Sequence, residues 1–423
     1  MGSKDSWSRR FGRAVATIAL GVAVFDLLGG NVHAGENWTR FRGPNGSGVA
    51  ADVTFPVEWS DEAYLWRVDL PGKGHSSPVG WGDKIFVTSG DTTSGAMTLL
   101  AIDAASGKTL WKREYAASPH SLHAANSYAS GTPTVDDERV YVTWTADGVL
   151  HAAAVTHAGD EAWHRELGPA DYKHGSGNSP ILLGDLLIVA NDHTGESFIA
   201  GLDAATGDER WRRPRQAGTE SYATPLVYEA ANGEPQIVVC SSAEGIAALA
   251  PADGAVLWQL PGVYEARCVN SPFLAEGLIL SGSGEGGNGK QLTAVRPAAS
   301  AGGQPEIAYE LKKSLPQVPT PLAIGDKLFV WSDRGVVACY SAADGKPQWT
   351  KRIGGNFYGS PVAAGERIYC IDAEGDVVCI AAADEYELLG RSPLGQASHA
   401  TPAIHQGKMF LRTESSLACL PAE

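Results

Sequence analysis

The sequence predicts an all-β chain folded as an eight-bladed β-propeller of four-stranded antiparallel blades. Three observations lead there. A Ser/Thr-Pro pair followed by apolar residues recurs at Pro78, Pro133, Pro180, Pro225, Pro272, Pro321, Pro361 and Pro402, at intervals of 40 to 55 residues. A Gly-x-x-x-Trp pattern alternates with it, as Gly107/Trp111, Gly159/Trp163, Gly207/Trp211, Gly254/Trp258 and Gly345/Trp349, with degenerate copies ending in Tyr309 and Leu389. Finally, 50 Gly and 24 Pro accompany 43% hydrophobic but only 19% charged residues, which suits short strands joined by many turns. One four-stranded unit per 40 to 55 residues is the period of a propeller blade.

Within each unit the elements follow in a fixed order. The first strand comes after Ser/Thr-Pro. The second is apolar, as in Lys84-Ile85-Phe86-Val87, Leu328-Phe329-Val330-Trp331 and Ile368-Tyr369-Cys370-Ile371. The third ends in Ala-x-Asp or a variant, and the fourth carries the Trp. The count then predicts closure. Eight Ser/Thr-Pro strands are present, but the chain stops at Ala418-Cys419-Leu420 with no eighth Trp strand after it. An unmatched Trp strand, Leu65 to Leu70, precedes the first unit and is expected to complete the last blade, which removes two exposed sheet edges. Each Trp is a docking residue of the core. It is expected to face a column of small residues: Ala101, Ala153, Gly201, Ala248, Ala294, Cys339, Cys379 and Cys419.

Ahead of the repeat, Arg9, Arg10 and Arg13 precede an apolar stretch from Ala14 to Phe25, and Val32-His33-Ala34 has the form of a cleavage site. Residues 1–34 are read as a signal peptide, 35–57 as an N-terminal extension and 58–423 as the propeller. The protein is then exported, to the periplasm or beyond the cell. Ser8-Arg9-Arg10-Phe11 resembles a twin-arginine signal with Phe11 one position early, so the choice between export routes stays open. With 33 Lys+Arg against 48 Asp+Glu the net charge is -15. Such a chain repels phosphate backbones and polyanions, so nucleic acid is excluded as a partner. No membrane span is expected after cleavage, and the chain is read as a monomer.

Ala101-Ile102-Asp103-Ala104-Ala105-Ser106-Gly107 through Trp111, and Gly201-Leu202-Asp203-Ala204-Ala205-Thr206-Gly207 through Trp211, resemble the tryptophan-docking repeats of the PQQ-like eight-bladed propellers. The opening Asn37-Trp38-Thr39-Arg40-Phe41-Arg42-Gly43-Pro44-Asn45-Gly46 and the stretch Gly72-Lys73-Gly74-His75-Ser76-Ser77-Pro78 resemble exported bacterial members of that group. The resemblance implies the fold over nearly all of the chain beyond the leader. For function it implies two classes: the quinoprotein dehydrogenases, and binding proteins such as the outer-membrane protein assembly lipoprotein. The first class carries a disulfide between adjacent cysteines beside PQQ and a calcium ion. This chain has no Cys-Cys pair, and the calcium ligands and catalytic Asp of that class find no matching motif. The second class carries a lipid-bearing Cys, which is absent near residue 34.

The six Cys are read chiefly as buried small hydrophobes. Cys370 and Cys379, which flank Glu374-Gly375 symmetrically, form the one pair expected to face across a hairpin. No His/Cys spacing suits zinc, and the Asp-x-x-x-Gly stretches around Asp103 and Asp203 suit turn capping better than calcium, so no metal site is predicted.

The first strands of all blades line the central channel, so the residues just before each Ser/Thr-Pro converge on one mouth. His75, Tyr222, Tyr358 and His399 lie three positions before Pro; Tyr128, His174, Asn178, Arg267 and Asn270 are nearby. These nine are the candidate ligand-binding residues, suited to a hydroxyl- or carbonyl-rich ligand. The competing account is that they satisfy one another and water in a wet channel. The expected function is an exported binding or scaffolding module of the cell envelope, whose partner is an envelope protein or a small polar ligand. The alternative is an enzyme working in the funnel: a PQQ- and calcium-dependent dehydrogenase, or another carbohydrate-active enzyme. No cofactor is firmly implied and no catalytic residue is assigned.

Overall fold

The computed structural model describes residues 37–216, 218–298 and 302–423, which form eight sheets around one axis. The leader assigned to residues 1–34 lies outside the described residues. Blade 1 is typical: Val79–Trp81, Lys84–Gly90, Met97–Asp103 and Thr109–Tyr115 pair antiparallel in sequence order. The innermost strands of blades 1 to 8 are Val79–Trp81, Thr134–Val135, Ile181–Leu183, Leu226–Glu229, Phe273–Ala275, Leu322–Ile324, Val362–Ala364 and Ala403–His405. Each follows a Ser/Thr-Pro pair. Pro lacks an N–H to give a ladder, and it is tolerated where a strand begins.

The ring closes as the strand count predicts. Trp66–Asp69 pairs antiparallel with Ser416–Pro421, setting Trp66 opposite Cys419 and making the outer strand of blade 8 from the start of the propeller. Trp66 also reaches into blade 1. Its indole Nε1 donates to the Ala104 carbonyl at 3.3 Å. Gly107 allows the approach. Its φ is +73°, and a Cβ there would stand 2.7 Å from the indole. The contact repeats around the rim. Trp111 donates to His157, Trp163 to Ala204, Trp211 to Pro251 and Trp349 to Ala383, while the Tyr309 hydroxyl donates to Ala342. Trp258 instead bonds the Gln236 side chain of its own blade.

Three register details differ from the sequence reading. Trp163 opposes Ala154, not Ala153, because the turn closed by Gly159 is one residue shorter: Gly159 N–H donates to the residue three back, Gly107 N–H to the residue four back. In blade 7, Leu389 falls in a bulge and Gly390 faces Cys379; residues 57–59 cover this blade instead, with the Trp59 N–H on Ser392 Oγ at 2.8 Å. Cys370 and Cys379 do not face each other. Cys370 opposes Val378 and Tyr369 opposes Cys379, so the period of two puts the thiols on opposite faces, and all six cysteines are free and buried.

Residues 37–50 run along the axis. Val49–Ala50 adds as a parallel fifth strand to Val362–Ala364 of blade 7. Upstream, the Trp38 and Thr39 carbonyls accept from Gly80 and Val135, and the Arg40 and Arg42 guanidiniums donate to the Pro225 and Pro321 carbonyls at 2.7 and 2.9 Å. Asn45 exchanges two bonds with Val227. The arm thus ties down the free inner edges of blades 1, 2, 4, 6 and 7, edges that otherwise carry unpaired backbone groups.

Candidate functional site

A cavity of about 770 Å³ opens at the end of the axis where the Ser/Thr-Pro pairs lie, and Phe41 of the arm forms part of its wall. The arm bonds the inner strands just below, so the cavity is a blind funnel rather than a through-channel. Its lining follows a positional rule. The residue three before each Pro lines it in every blade: His75, Ser130, Gly177, Tyr222, Val269, Val318, Tyr358 and His399. So does the residue one before: Ser77, Thr132, Ser179, Thr224, Ser271, Thr320, Ser360 and Thr401.

The hydroxyls of that second set form a belt. The Ser77 N–H donates to Thr132 Oγ1 and the Thr132 N–H to Ser179 Oγ, both at 2.9 Å. The chain resumes from Thr224 to Ser271, Thr320, Ser360, Thr401 and back to Ser77, at 2.9 to 3.1 Å. Seven of the eight hydroxyls, all but that of Thr224, spend a lone pair on the neighbouring blade and keep their protons for the funnel. The Ser/Thr of every Ser/Thr-Pro pair was thus visible in the sequence, yet its role was not assigned there.

Of the nine candidate residues, His75, His174, Tyr222, Arg267, Tyr358 and His399 line the funnel. Asn178 and Asn270 do not. They sit two before Pro, and alternation along the extended chain turns them away. Asn270 braces Gly282, Pro316 and Gln317, and Asn178 donates to the Ser221 carbonyl. Tyr128 is held in the loop after blade 1, its hydroxyl donating to the His120 carbonyl at 2.7 Å.

Two groups of side chains give the funnel its chemistry. On one side the His75 and His399 rings lie 4.3 Å apart and the Tyr358 ring packs at a tilt against His399 at 4.2 Å. Burial, then the nearby His399, Arg412 and Lys73, push His75 down to about 3, and burial lowers His399 as well. Both rings are therefore neutral donors and acceptors near pH 7. On the other side the lining residues His174, Tyr222 and Arg267 are backed by buried Glu220, a residue the sequence reading did not single out. It lies 2.7 Å from His174 Nδ1, 3.6 Å from Arg267 and 3.2 Å from the Tyr222 hydroxyl. Burial works to raise Glu220, but the bonds from His174 and the Lys173 N–H outweigh it, and the carboxyl ends below its ordinary range. Lys173, Asp333 and Arg334 also line the cavity. Burial raises Asp333, which accepts from the Gln317 and Val318 N–H groups.

This donor set does not suit a PQQ–calcium pair. Calcium takes six to eight oxygen ligands, carboxylates foremost. Glu220 is engaged by His174 and Arg267, Asp333 by two backbone N–H groups, and Glu285 by Lys290. Among the described residues no three His, Cys, Asp or Glu are grouped to hold a metal. Nor is any described helix long and apolar enough to cross a membrane.

A family model described as outer membrane protein assembly factor BamB matches residues 56–230, 178–312 and 242–419. No curated protein matches the sequence. Among solved structures the fold is similar to BamB from Moraxella catarrhalis, at 16% identity over 84% of this chain and 96% of that one, with a TM-score of 0.60. It is also similar to the quinohemoprotein alcohol dehydrogenase of Comamonas testosteroni, at 12% identity over 90% of this chain and 80% of that one, with a TM-score of 0.61. The computationally designed Ika8 protein matches at 10% identity over 85% of this chain and 99% of that one, with a TM-score of 0.58. At such identities the likeness is one of fold.

Proposed function

The chain belongs to the family of PQQ-like eight-bladed propellers, and from that premise we propose that it is an exported binding module of the cell envelope whose working site is the blind funnel. The observation that carries the proposal is convergence. Sixteen positions, two from each of eight rigid walls, meet over a closed floor. A site preorganised in this way needs little ordering when a small ligand enters. The hydroxyl belt, the neutral His75–His399 pair and Tyr222 and Tyr358 supply donors, acceptors and aromatic faces for a hydroxyl-rich molecule. The family description names an assembly factor of the outer membrane, which supports a place in the envelope and a protein partner there. The test is a thermal-shift and calorimetric screen of small sugars and hydroxy acids against wild type and the His75→Ala/His399→Ala double variant. A funnel ligand loses affinity in the folded double variant; unchanged affinity there means that the ligand sits elsewhere.

A further inference from the structure

The chain carries a net charge of -15, yet its axis is cationic. Arg40, Arg42 and Arg412 are buried, at 6, 1 and 0% exposure. Each donates to neutral oxygens only: Arg40 to Pro225, Arg42 to Pro321, and Arg412 to Ser76. Among the described residues no carboxylate pairs with any of them, and the Nε of all three finds no acceptor. Burial lowers each to about 9, so each still holds its proton at neutral pH. Buried cations are ordinarily paired, because an isolated one loses its hydration without recompense.

These three cations sit directly behind the hydroxyl belt. Pro225 and Pro321 follow Thr224 and Thr320, and Ser76 precedes Ser77. At the mouth Lys173, Arg267 and Arg334 add three more positive charges. Among the described residues, Glu285 and Asp333 in the lining and Glu220 behind Arg267 stand against the six cations. Of these, Glu220 is spent on His174 and Arg267, Glu285 is paired with Lys290 at 3.1 Å, and Asp333 is held by backbone N–H groups. A concave site with low-dielectric walls focuses such an excess toward its interior. The acidity of the whole chain describes its outer surface and not this cavity.

Resting on the reading of the funnel as a binding site, we infer that its ligand is a hydroxylated organic anion: a sugar acid or a short acidic oligosaccharide. A carboxylate completes the charge that the buried arginines lack and takes charge-assisted bonds from Arg267 and Arg334. The hydroxyls of the same molecule take up the belt. A neutral sugar leaves the cations uncompensated, and a bare inorganic anion leaves the belt and the aromatic faces unused. A cavity of about 770 Å³ has room for more than one sugar ring.

The experiment uses the full chain and pairs an acid sugar with a neutral one of the same ring count. Glucuronate is titrated against glucose, and digalacturonate against lactose, by calorimetry at two ionic strengths. The acid of each pair should bind at least about tenfold more tightly than its neutral partner. That affinity should fall as salt rises, and Arg267→Gln/Arg334→Gln should lose about tenfold or more for the acids alone. Neutral sugars binding as tightly as the acids, with both weakened in His75→Ala/His399→Ala, overturn the anion inference and keep the funnel. Acid binding unchanged in both double variants, each verified as folded, overturns the funnel reading itself. Failure of every probe to bind wild type overturns the inference.

Discussion

At the rim one contact is made over and over. Among the described residues, five Trp and Tyr309 each donate from their ring to a carbonyl in the turn of the next blade. At the axis the blades diverge. The position three before Pro holds His, Ser, Gly, Tyr, Val, Val, Tyr and His in turn around the ring. The same backbone geometry serves both places. Side chains that repeat hold the blades to one another, and side chains that do not repeat give the funnel an identity. The belt stands between the two, since its hydroxyl repeats in all eight blades yet faces the cavity.

The largest test of this contrast is at the rim. Trp66→Ala should cost about 3–5 kcal/mol in urea unfolding, because it empties the junction that closes the ring. A loss under 1 kcal/mol would show that closure relies on the axial arm instead. Gly201→Ala comes next, at about 1–3 kcal/mol. Gly201 faces Trp211, and a Cβ there would stand 2.4 Å from the indole, which must shift to admit it. Removing one belt hydroxyl by Ser271→Ala should cost about 1 kcal/mol, since the buried Thr224 N–H loses its acceptor. A neutral result would mean that water enters the belt freely.

The smallest effect at neutral pH belongs to an axial residue. His75→Gln should leave stability near pH 7.5 unchanged but blunt its loss in acid. Unfolded, His75 takes up a proton near 6.5; folded, only near 3. Between those values the unfolded state binds the extra proton, so stability falls as pH drops from about 6.5 toward 3. Melting temperatures measured across that range in wild type and variant check it: parallel curves would assign the acid sensitivity to other groups.

The rim was legible in the sequence because repetition marks it. The Trp spacing, the Gly that precedes most of them and the spare Trp66 strand all follow from one packing rule that recurs around the ring. The errors there are local: Ala153 for Ala154, and the assumed symmetry of Cys370 and Cys379, both matters of a single residue of register. The funnel was half legible. Counting back from each Pro found His75, Tyr222, Tyr358 and His399, while Asn178 and Asn270 failed by one step of alternation. Glu220 and the arm were not legible. Arg40 and Arg42 bond carbonyls 185 and 279 residues away, and no local pattern announces such partners. The Trp38-to-Gly46 stretch could have raised the question, since an aromatic- and Arg-rich run is an odd composition for a solvated extension.

The arm also fixes an order of events. Val49 pairs with Ala363 and Trp66 with Cys419, so these two early strands find their partners only when the last two blades exist. Blades 1 to 6 can form from neighbouring hairpins as the chain emerges, but the ring stays open until the C-terminus is free. Contacts this distant in sequence are slow to close. During that interval two sheet edges and the apolar Trp38 and Phe41 are available to wrong partners. For this chain the hazardous stage of biogenesis is the wait before closure, and a stop codon even a few residues before Cys419 would leave a protein with most of its blades and no means of finishing the circle.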